Sequence, residues 1–293
     1  MKHLFRLLNN NDTLFTMIYG SFLYYPYALL LMAFRLFGNS QVTTEELRDK
    51  VISFPNGVLM GPSLEDHKGM APYYQSFLEN RNYEDNITRI VSSSLHTGDT
   101  FVDVGAHVGY FAILASKLVG NGQVISIEPT PTILSALKNN VEINQCSNVI
   151  IYECAVGENE GKAYLYLSNS STQLNSLAHV PWAFKRIEID VKTLDSILKH
   201  PPDLVKIDAE GYEYEILLGG RKSILEHGAY LILEYNKGIL AKRGSSYQKI
   251  FDLLIQYGYH IKEILPDGSM SGDIFNYRSL ESPFTNLWAT VTK

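Results

Sequence analysis

From residue 100 onward, short apolar segments alternate with amphipathic ones, and this regular order limits the chain to few folds. The segments predicted as strands are 101–104, 124–127, 149–152, 204–208 and 229–234, and those predicted as helices are 110–118, 133–143 and 247–256. Strands that alternate with helices in this way build βαβ units and a parallel sheet. We therefore predict an α/β protein.

Two further segments, 163–167 and 186–191, alternate apolar and polar residues with period two. That pattern is typical of hairpin or edge strands, and it predicts a small β insertion between the parallel strands. The last apolar segments, 259–265 and 287–291, are predicted to complete the main sheet.

Composition and charge exclude several classes of protein. Hydrophobic residues make up 45% of the chain and charged residues 19%, which excludes a disordered or collagen-like chain. The 25 basic and 31 acidic residues give a net charge of −6, so we predict no nucleic-acid partner. Two cysteines, Cys146 and Cys154, are too few for a disulfide scaffold and predict a reducing, cytoplasmic location.

The turn after the first predicted strand of this region carries the strongest functional signal. It contains Asp103, Gly105, Ala106, His107 and Gly109, and it leads directly into a predicted helix. Glycines at such a turn let the backbone approach a ligand closely, and the amides of a helix N-terminus point toward a polar or anionic group. We predict that these five residues bind a cofactor, although an ordinary glycine turn between a strand and a helix has the same pattern.

Glu128 ends the next strand, 23 residues after Gly105, and is followed by Pro129. An acid at that place can accept both ribose hydroxyls of a nucleoside cofactor, and a helix-capping acid is the alternative interpretation. In a dinucleotide fingerprint a glycine would stand where this chain has His107, and a bulky residue there crowds a pyrophosphate. S-adenosylmethionine has no phosphate, so the turn favours it, with Asp103 placed to bind its ammonium group or to fix the loop.

Three carboxylates lie at the predicted ends of neighbouring strands: Asp208, Glu210 and Glu234. Ligands of open α/β sheets bind at this carboxyl edge, so we expect the three to share one crevice. Asp208 or His107 is predicted to accept a proton from an attacking hydroxyl. Glu210 and the nearby Glu213 are equally suited to capping the helix that follows. The cluster has oxygen ligands suitable for Mg²⁺, but no spacing demands the ion, so we predict no metal ligand.

The N-terminal region, residues 1–95, differs from the predicted catalytic domain at 96–293. Nine of the 34 aromatic residues fall in the first 40 positions, and residues 13–34 form an uncharged run of 22. Three interpretations fit this run: a transmembrane helix, an interfacial helix pair broken at Pro26, or a helical cap on the main domain. The second gives peripheral membrane contact through residues 13–37. A helix is also predicted at 83–95.

Six stretches together resemble the FkbM-type methyltransferases, a branch of the class I S-adenosylmethionine-dependent enzymes. The stretches are DVGAHVGYFAILAS, VISIEPTPTILSALKNNVEIN, CAVG, VKTLDSIL, DLVKIDAEGYEYEILLGG and LILEYN. They span roughly residues 100–259, and their order and spacing make the resemblance specific. It implies a Rossmann-like sheet of seven strands with the last antiparallel, and methyl transfer to a hydroxyl of a sugar, a glycan or glycolipid, or a secondary metabolite.

The resemblance also implies roles for individual residues. Asp103, Gly105 and Gly109 would form the donor loop, and Glu128 would bind the ribose. Cys154 and Ala155 would border the adenine. Asp208 and Glu210 would lie beside the reacting centre, with Glu234 nearby, and Asp208 is counted with the donor-binding residues as well. Family members often carry Asn where this chain has His107.

Two other function classes remain open from the residues alone. One is a nicotinamide-dependent oxidoreductase on a similar sheet, and the other is a non-catalytic nucleoside-binding protein. The methyl acceptor and the oligomeric state are not predicted.

Overall fold

The computed structural model describes residues 46–62, 69–168, 177, 183–236, 247–277, 280, 282 and 284–291. The segment 13–37, for which membrane contact is predicted, lies outside the described residues. Among the helices of the described residues, none combines the length and apolar composition that a membrane crossing requires.

The described elements follow the predicted alternation of strands and helices. The strands are β1 (Ile52–Ser53), β2 (Leu59–Met60), β3 (Thr100–Val104), β4 (Gln123–Ile127), β5 (Val149–Tyr152), β6 (Ala155–Val156), β7 (Gly161–Ser168), β8 (Ala183–Lys192), β9 (Leu204–Ile207), β10 (Tyr230–Asn236), β11 (Tyr259–Ile264) and β12 (Phe284–Val291). The helices are α1 (Ala71–Leu78), α2 (Asp85–Ser94), α3 (Tyr110–Val119), α4 (Pro131–Ile143), α5 (Leu194–Ile197), α6 (Glu213–Gly219) and α7 (Tyr247–Gln256), with a π-helical turn at Arg221–Leu225.

Seven of the described strands form the central sheet, in the order β11–β12–β10–β9–β3–β4–β5. The strands β10, β9, β3, β4 and β5 run parallel to one another, and β12 runs antiparallel to both β10 and β11. The predicted α/β sheet of seven strands with the last antiparallel is therefore confirmed. In this order β3 and β9 lie side by side at the centre, so their carboxyl ends meet.

The predicted β insertion is also present. Strands β7 and β8 pair antiparallel, and β6 joins β8 to complete a separate three-stranded sheet. Leu165 and Ile189 are buried with Ala155 in a small apolar cluster, whereas Tyr164 is exposed. This difference between neighbouring residues is the period-two pattern of a strand with one buried face.

The central sheet buries both of its faces, as its continuous apolar strands require. Along β3, Phe101 packs with the side chains of α2 and α3, whereas Val102 and Val104 pack with those of α6 and α7. Successive strand residues point to opposite faces, so one short strand contributes to two hydrophobic cores.

The described part of the N-terminal region packs against the central sheet. The turn between β1 and β2 closes where Gly57 donates a hydrogen bond to the Phe54 carbonyl at 2.8 Å. Ile52, Tyr74 and Ile87 are buried in the same cluster as Phe101 of β3. The division of the chain at residues 95 and 96 stays a prediction, and α2 occupies most of the predicted helix at 83–95.

Candidate active site

The candidate site lies at the carboxyl edge of the sheet, where β3, β9 and β10 end. Gly105 follows β3 with a φ of +80°, and a Cβ added there would lie 1.8 Å from the backbone carbonyl oxygen of Asp208. Only glycine allows the two strand ends to approach this closely. The glycine therefore brings the turn after β3 against the carboxylate-bearing segment after β9.

The turn is also attached to β4 and to the acid that follows it. The backbone amides of Gly105 and Ala106 donate to the Ile127 carbonyl at 3.0 and 3.1 Å. The Oε2 atom of Glu128 accepts from the backbone amide of His107 at 3.0 Å, and its Oε1 accepts from Thr130 at 2.8 Å. A carboxylate offers about four acceptor positions, so Glu128 retains capacity for ligand hydroxyls.

Helix α3 begins directly after the turn, and Gly109 is its N-terminal cap. Gly109 has a φ of +90°, and a Cβ there would lie 2.4 Å from the Leu137 side chain of α4. Gly109 therefore lets α3 and α4 pack closely together. The second glycine of the motif therefore has a packing role in the structure.

His107 has a left-handed backbone conformation, with a φ of +50°. Asparagine, aspartate and histidine tolerate this conformation better than most residues. This preference explains why histidine can stand where family members often carry Asn. The Nδ1 atom of His107 lies 3.3 Å from the Tyr73 hydroxyl oxygen, and the two rings are stacked with centroids 6.0 Å apart.

Asp103 is buried within β3, with only 1% of its surface exposed. Its carboxylate oxygens have no side-chain hydrogen-bond partner among the described residues. Burial raises the pKa of Asp103 to about 6, the neighbouring carboxylates of Asp208 and Glu128 raise it further, and the Lys206 ammonium and a backbone hydrogen bond from Ala112 oppose them. A buried carboxylate with capacity for further hydrogen bonds fits a ligand cation such as the ammonium group of S-adenosylmethionine.

Lys206 forms an ion pair with Asp208, in which its Nζ donates to the Asp208 Oδ2 at 2.8 Å. The lysine side chain is 5% exposed and the aspartate side chain 29% exposed. Burial alone would raise the pKa of Asp208, but the adjacent ammonium group and its hydrogen bond lower it below the ordinary value. Asp208 is therefore held as an anion, which makes it a weak proton acceptor.

Glu210 and Glu234 complete a carboxylate cluster with Asp208. One oxygen from each of the three side chains lies within 4.8 Å of the others. Burial raises the pKa of both Glu210 and Glu234 well above the usual range, and the neighbouring carboxylates raise them further. The three side chains thus lie close together at one edge of the sheet, as the prediction of a shared crevice requires.

Glu213 contacts the backbone just before α6, which fits a structural role rather than a catalytic one. Its Oε1 accepts hydrogen bonds from the backbone amides of Ala209 and Gly211, at 3.3 and 3.0 Å. Burial raises the pKa of Glu213 to about 7, and these backbone donors partly oppose that shift. The carboxylate thus stabilises the turn that carries Glu210, which itself has a φ of +49°.

Cys154 and Ala155 lie apart from the carboxylate cluster, because they follow β5 at the far end of the strand order. Cys154 is buried, and burial raises the pKa of its thiol to about 11. A surface groove runs nearby between the start of α4 and β8, and Pro129, Leu134 and Ile189 contribute to its wall. The assignment of Cys154, Ala155 and Pro129 to the donor stays a prediction.

Four residues that the motifs did not single out also lie at this edge: Tyr73, Tyr83, Glu84 and Lys206. Tyr73 and Tyr83 are stacked with ring centroids 4.0 Å apart. Glu84 caps α2 with a φ of +40°, and the charges of Lys206 and Asp208 act on its carboxyl group. Lys206 could have been found as the charged residue inside a buried strand, whereas the other three precede every motif.

Comparison with known proteins places the chain among methyltransferases. It is 26% identical over 145 residues to Methyltransferase 1 of Beauveria bassiana, a match that covers 41% of this chain and 58% of that protein. The solved structure of an FkbM methyltransferase from Methylobacillus flagellatus is 21% identical, with a TM-score of 0.44, and the match covers 66% of this chain and 43% of that one. A precorrin-6y C5,15-methyltransferase from Geobacter metallireducens is 16% identical, with a TM-score of 0.42, over 71% of this chain and 89% of that one.

The matched region thus spans less than two thirds of the fungal relative and of the Methylobacillus protein. A family model described as the methyltransferase FkbM domain matches residues 103–261. This match begins at Asp103, ends within β11 and covers more than half of the chain, so the protein belongs to the FkbM methyltransferase family.

Proposed function

We propose that the protein transfers a methyl group from S-adenosylmethionine to a hydroxyl oxygen of a small molecule or glycan. The observation that carries the proposal is the pair of buried acids on either side of the glycine turn, Asp103 and Glu128. Asp103 is buried without a side-chain hydrogen-bond partner among the described residues, and Glu128 supports the backbone of His107.

The donor-binding residues in this proposal are Asp103, Gly105, Ala106, Gly109 and Glu128. When bound, S-adenosylmethionine supplies a methyl group attached to a positively charged sulfur. Asp103 binds the ammonium group, and Glu128 accepts hydrogen bonds from the ribose hydroxyls with the lone pairs that its two backbone contacts leave. Family membership supports this choice of donor over a dinucleotide.

His107 is the proton acceptor that the electrostatics favour over Asp208. The Lys206 ion pair holds the pKa of Asp208 low, and burial raises the pKa of Glu210 and Glu234 well above the usual range, which favours their neutral forms. Imidazole is a general base suited to neutral pH. In the tautomer whose Nδ1–H donates to the Tyr73 oxygen, the Nε2 atom accepts the hydroxyl proton.

The reaction is an in-line displacement. A bond forms between the acceptor oxygen and the methyl carbon while the bond from that carbon to sulfur breaks, and the sulfur keeps the electron pair. The hydroxyl proton passes to His107, so charge and atoms balance. Residues of this chain contribute by holding the two reactants in line and by accepting this proton.

The acceptor site in this proposal lies beside the half-buried ring of Tyr83, which is stacked on the buried Tyr73 next to His107. Aromatic faces bind the apolar faces of sugar rings well, which supports a glycan or another polyhydroxylated acceptor. The net charge of −6 argues against a nucleic-acid acceptor.

Calorimetry with the full chain tests the donor. We expect saturable binding of S-adenosylmethionine and S-adenosylhomocysteine and none of NAD, and the opposite result would identify an oxidoreductase instead. Radiolabelled donor with a fractionated lysate should then label an acceptor. Donor binding without any labelled acceptor would favour a non-catalytic binding protein.

The variant His107→Asn tests the proton acceptor, because asparagine tolerates the same backbone conformation. We expect kcat to fall by about 10² to 10⁴, with donor affinity unchanged. His96→Asn is the matched control, since His96 is exposed and contacts Asp99 ahead of β3. Full activity of His107→Asn would refute this role.

For the location of the protein, we propose the cytoplasm, with peripheral membrane contact through residues 13–37. Both cysteines are free and buried, which suits a reducing compartment. Recovery of all full-length protein in the high-speed supernatant without detergent would refute the membrane contact.

A further inference from the structure

A network of hydrogen-bonded side chains connects His107 with the start of α2. The Tyr73 hydroxyl oxygen lies 3.3 Å from Nδ1 of His107, and the two rings are nearly parallel, with an interplanar angle of 5°. Tyr83 is stacked on Tyr73 with ring centroids 4.0 Å apart, and the two hydroxyls share a hydrogen bond. Tyr83 also shares a hydrogen bond with the Glu84 carboxylate. Two tyrosines therefore link the imidazole of His107 to a carboxyl group.

Glu84, at the far end of this network, is not used to cap its own helix. It occupies the N-cap position of α2 with a φ of +40°, yet its side chain makes no capping hydrogen bond. A left-handed backbone is uncommon for glutamate and persists where the surrounding structure holds it. The carboxyl group instead contacts Tyr83 and lies within the electrostatic reach of Lys206 and Asp208. Glu84 is therefore directed toward the candidate site.

The charged groups around Glu84 act in opposite directions. Burial raises the pKa of Glu84, the Lys206 ammonium lowers it, the Asp208 carboxylate raises it, and the hydrogen bond from Tyr83 lowers it. Lys206 and Tyr83 thus favour the ionised form. In that form both oxygens of the carboxylate can only accept hydrogen bonds.

An ionised Glu84 fixes the direction of every hydrogen bond in the network. Because the carboxylate only accepts, Tyr83 donates its one hydroxyl proton to Glu84. The Tyr83 oxygen then accepts from Tyr73, and the Tyr73 oxygen in turn accepts from the Nδ1–H of His107. A neutral imidazole carries a single N–H group, so the lone pair of the ring lies on Nε2.

We propose that Tyr73, Tyr83 and Glu84 form a positioning relay that selects the His107 tautomer with its proton on Nδ1. The inference rests on the proposed function, in which Nε2 accepts the hydroxyl proton of the methyl acceptor. During transfer that proton moves to Nε2 and the Nδ1–H stays on the ring. The relay then stabilises the imidazolium through a charge-assisted hydrogen bond, as the carboxylate of a Ser-His-Asp triad does directly.

Nuclear magnetic resonance of the full chain, with ¹⁵N-labelled histidine, tests the relay without donor or acceptor. Two-bond correlations distinguish the protonated ring nitrogen from the other one, and the signals of His107 are those that His107→Asn lacks. At about pH 8, above the ordinary titration range of imidazole, we expect wild-type His107 to carry its proton on Nδ1. Tyr73→Phe removes the acceptor of that proton and should shift the tautomer ratio about fivefold toward Nε2–H.

Glu84→Gln tests the far end of the relay. Glutamine can donate as well as accept, so it no longer fixes the direction of the hydrogen bonds, and the tautomer ratio should shift in the same sense. Tyr83→Phe interrupts the relay at its middle and serves as the second variant if Glu84→Gln fails to fold by circular dichroism. Glu79→Gln is the matched control, because Glu79 follows α1 and pairs with Arg81. It should leave the tautomer ratio unchanged.

Methyl transfer is scored separately, with radiolabelled donor and the lysate fraction that becomes labelled. The rate in Tyr73→Phe and in Glu84→Gln should fall about tenfold or more, because the imidazolium loses a hydrogen bond that is stronger than one from a neutral ring. Donor affinity in calorimetry should be unchanged. A merely structural role of these side chains would not move the tautomer ratio of a folded variant.

Two results would overturn the relay: wild-type His107 with its proton on Nε2, or the same tautomer ratio in the wild type and in the folded relay variants. Transfer at the wild-type rate in those variants would also refute the relay and leave the proposed function intact. The expected tautomers in a protein that methylates no acceptor would refute the proposed function and leave the hydrogen-bond network intact.

Discussion

The substitution Gly105→Ala tests the closest approach in the candidate site. Its new Cβ would lie 1.8 Å from the Asp208 carbonyl oxygen, and the alanine would have to adopt a φ of +80°. Non-bonded Cβ atoms rarely come within 3.0 Å of another heavy atom, so the ends of β3 and β9 would separate by more than about 1 Å. Both atoms belong to strand ends, so no side-chain rotation relieves the contact.

The left-handed conformation alone costs alanine about 1–2 kcal/mol, and the overpacking adds about 1–3 kcal/mol. We therefore expect Gly105→Ala to lower the free energy of unfolding by about 2–5 kcal/mol. For a domain of this size, thermal unfolding by circular dichroism should record a fall in Tm of roughly 5–15 °C.

Gly258→Ala is the matched control, because Gly258 has the same φ of +80° and no atom within 4 Å of the position that a Cβ would take. Gly258→Ala should lower the free energy of unfolding only by the cost of the left-handed conformation, about 1–2 kcal/mol. Equal losses in the two variants would show that the two strand ends are not in contact and would refute the reasoning. Below its Tm, Gly105→Ala should also bind S-adenosylmethionine more weakly, since the turn is displaced.

Three further predictions follow from individual contacts of the acids and of Lys206. Glu128→Gln should weaken donor binding at least about tenfold in calorimetry, because a neutral amide is a weaker acceptor for ribose hydroxyls than a carboxylate. Lys206→Met should lower the free energy of unfolding by about 3 kcal/mol in urea, because Asp208 loses the partner 2.8 Å away. Burial raises the pKa of Glu213 to about 7 from 4.5, so its contribution to stability is complete below pH 4.5 and is lost as the pH rises to 7. Glu213→Gln should therefore remove about 3 kcal/mol of pH dependence over that window, measured against the wild type by urea unfolding.

The sheet and the positions of most site residues could be predicted, because both follow from local patterns. Asp208 and Glu234 each end an apolar run, and the carboxyl ends of parallel strands meet at one edge. The same rule placed the turn from Asp103 to Gly109 at that edge. The pKa values of these side chains could not be predicted from such patterns. The low pKa of Asp208 depends on Lys206, whose side chain comes from the same strand but acts only once both are buried.

Tyr73, Tyr83 and Glu84 could not be predicted, since nothing in their local sequence marks them. They reach the site because α1 and α2 dock on the sheet, and docking depends on apolar contacts between distant parts of the chain. His107 was predicted as a site residue, but its left-handed backbone and its contact with Tyr73 were not. Such features depend on packing across the fold, which a sequence motif does not encode.

The charge of the carboxylate cluster bears directly on the proposed reaction. A sulfonium donor loses its positive charge as the methyl group leaves, so bare carboxylates near the sulfur would stabilise the ground state more than the transition state. The three acids of this cluster are not bare. Asp208 is paired with Lys206 at 2.8 Å and shares a hydrogen bond with Glu234. Burial also raises the pKa of Glu210 and Glu234, which favours their neutral forms. The cluster therefore holds the sulfonium less strongly before transfer than three free carboxylates would, and it opposes methyl transfer less.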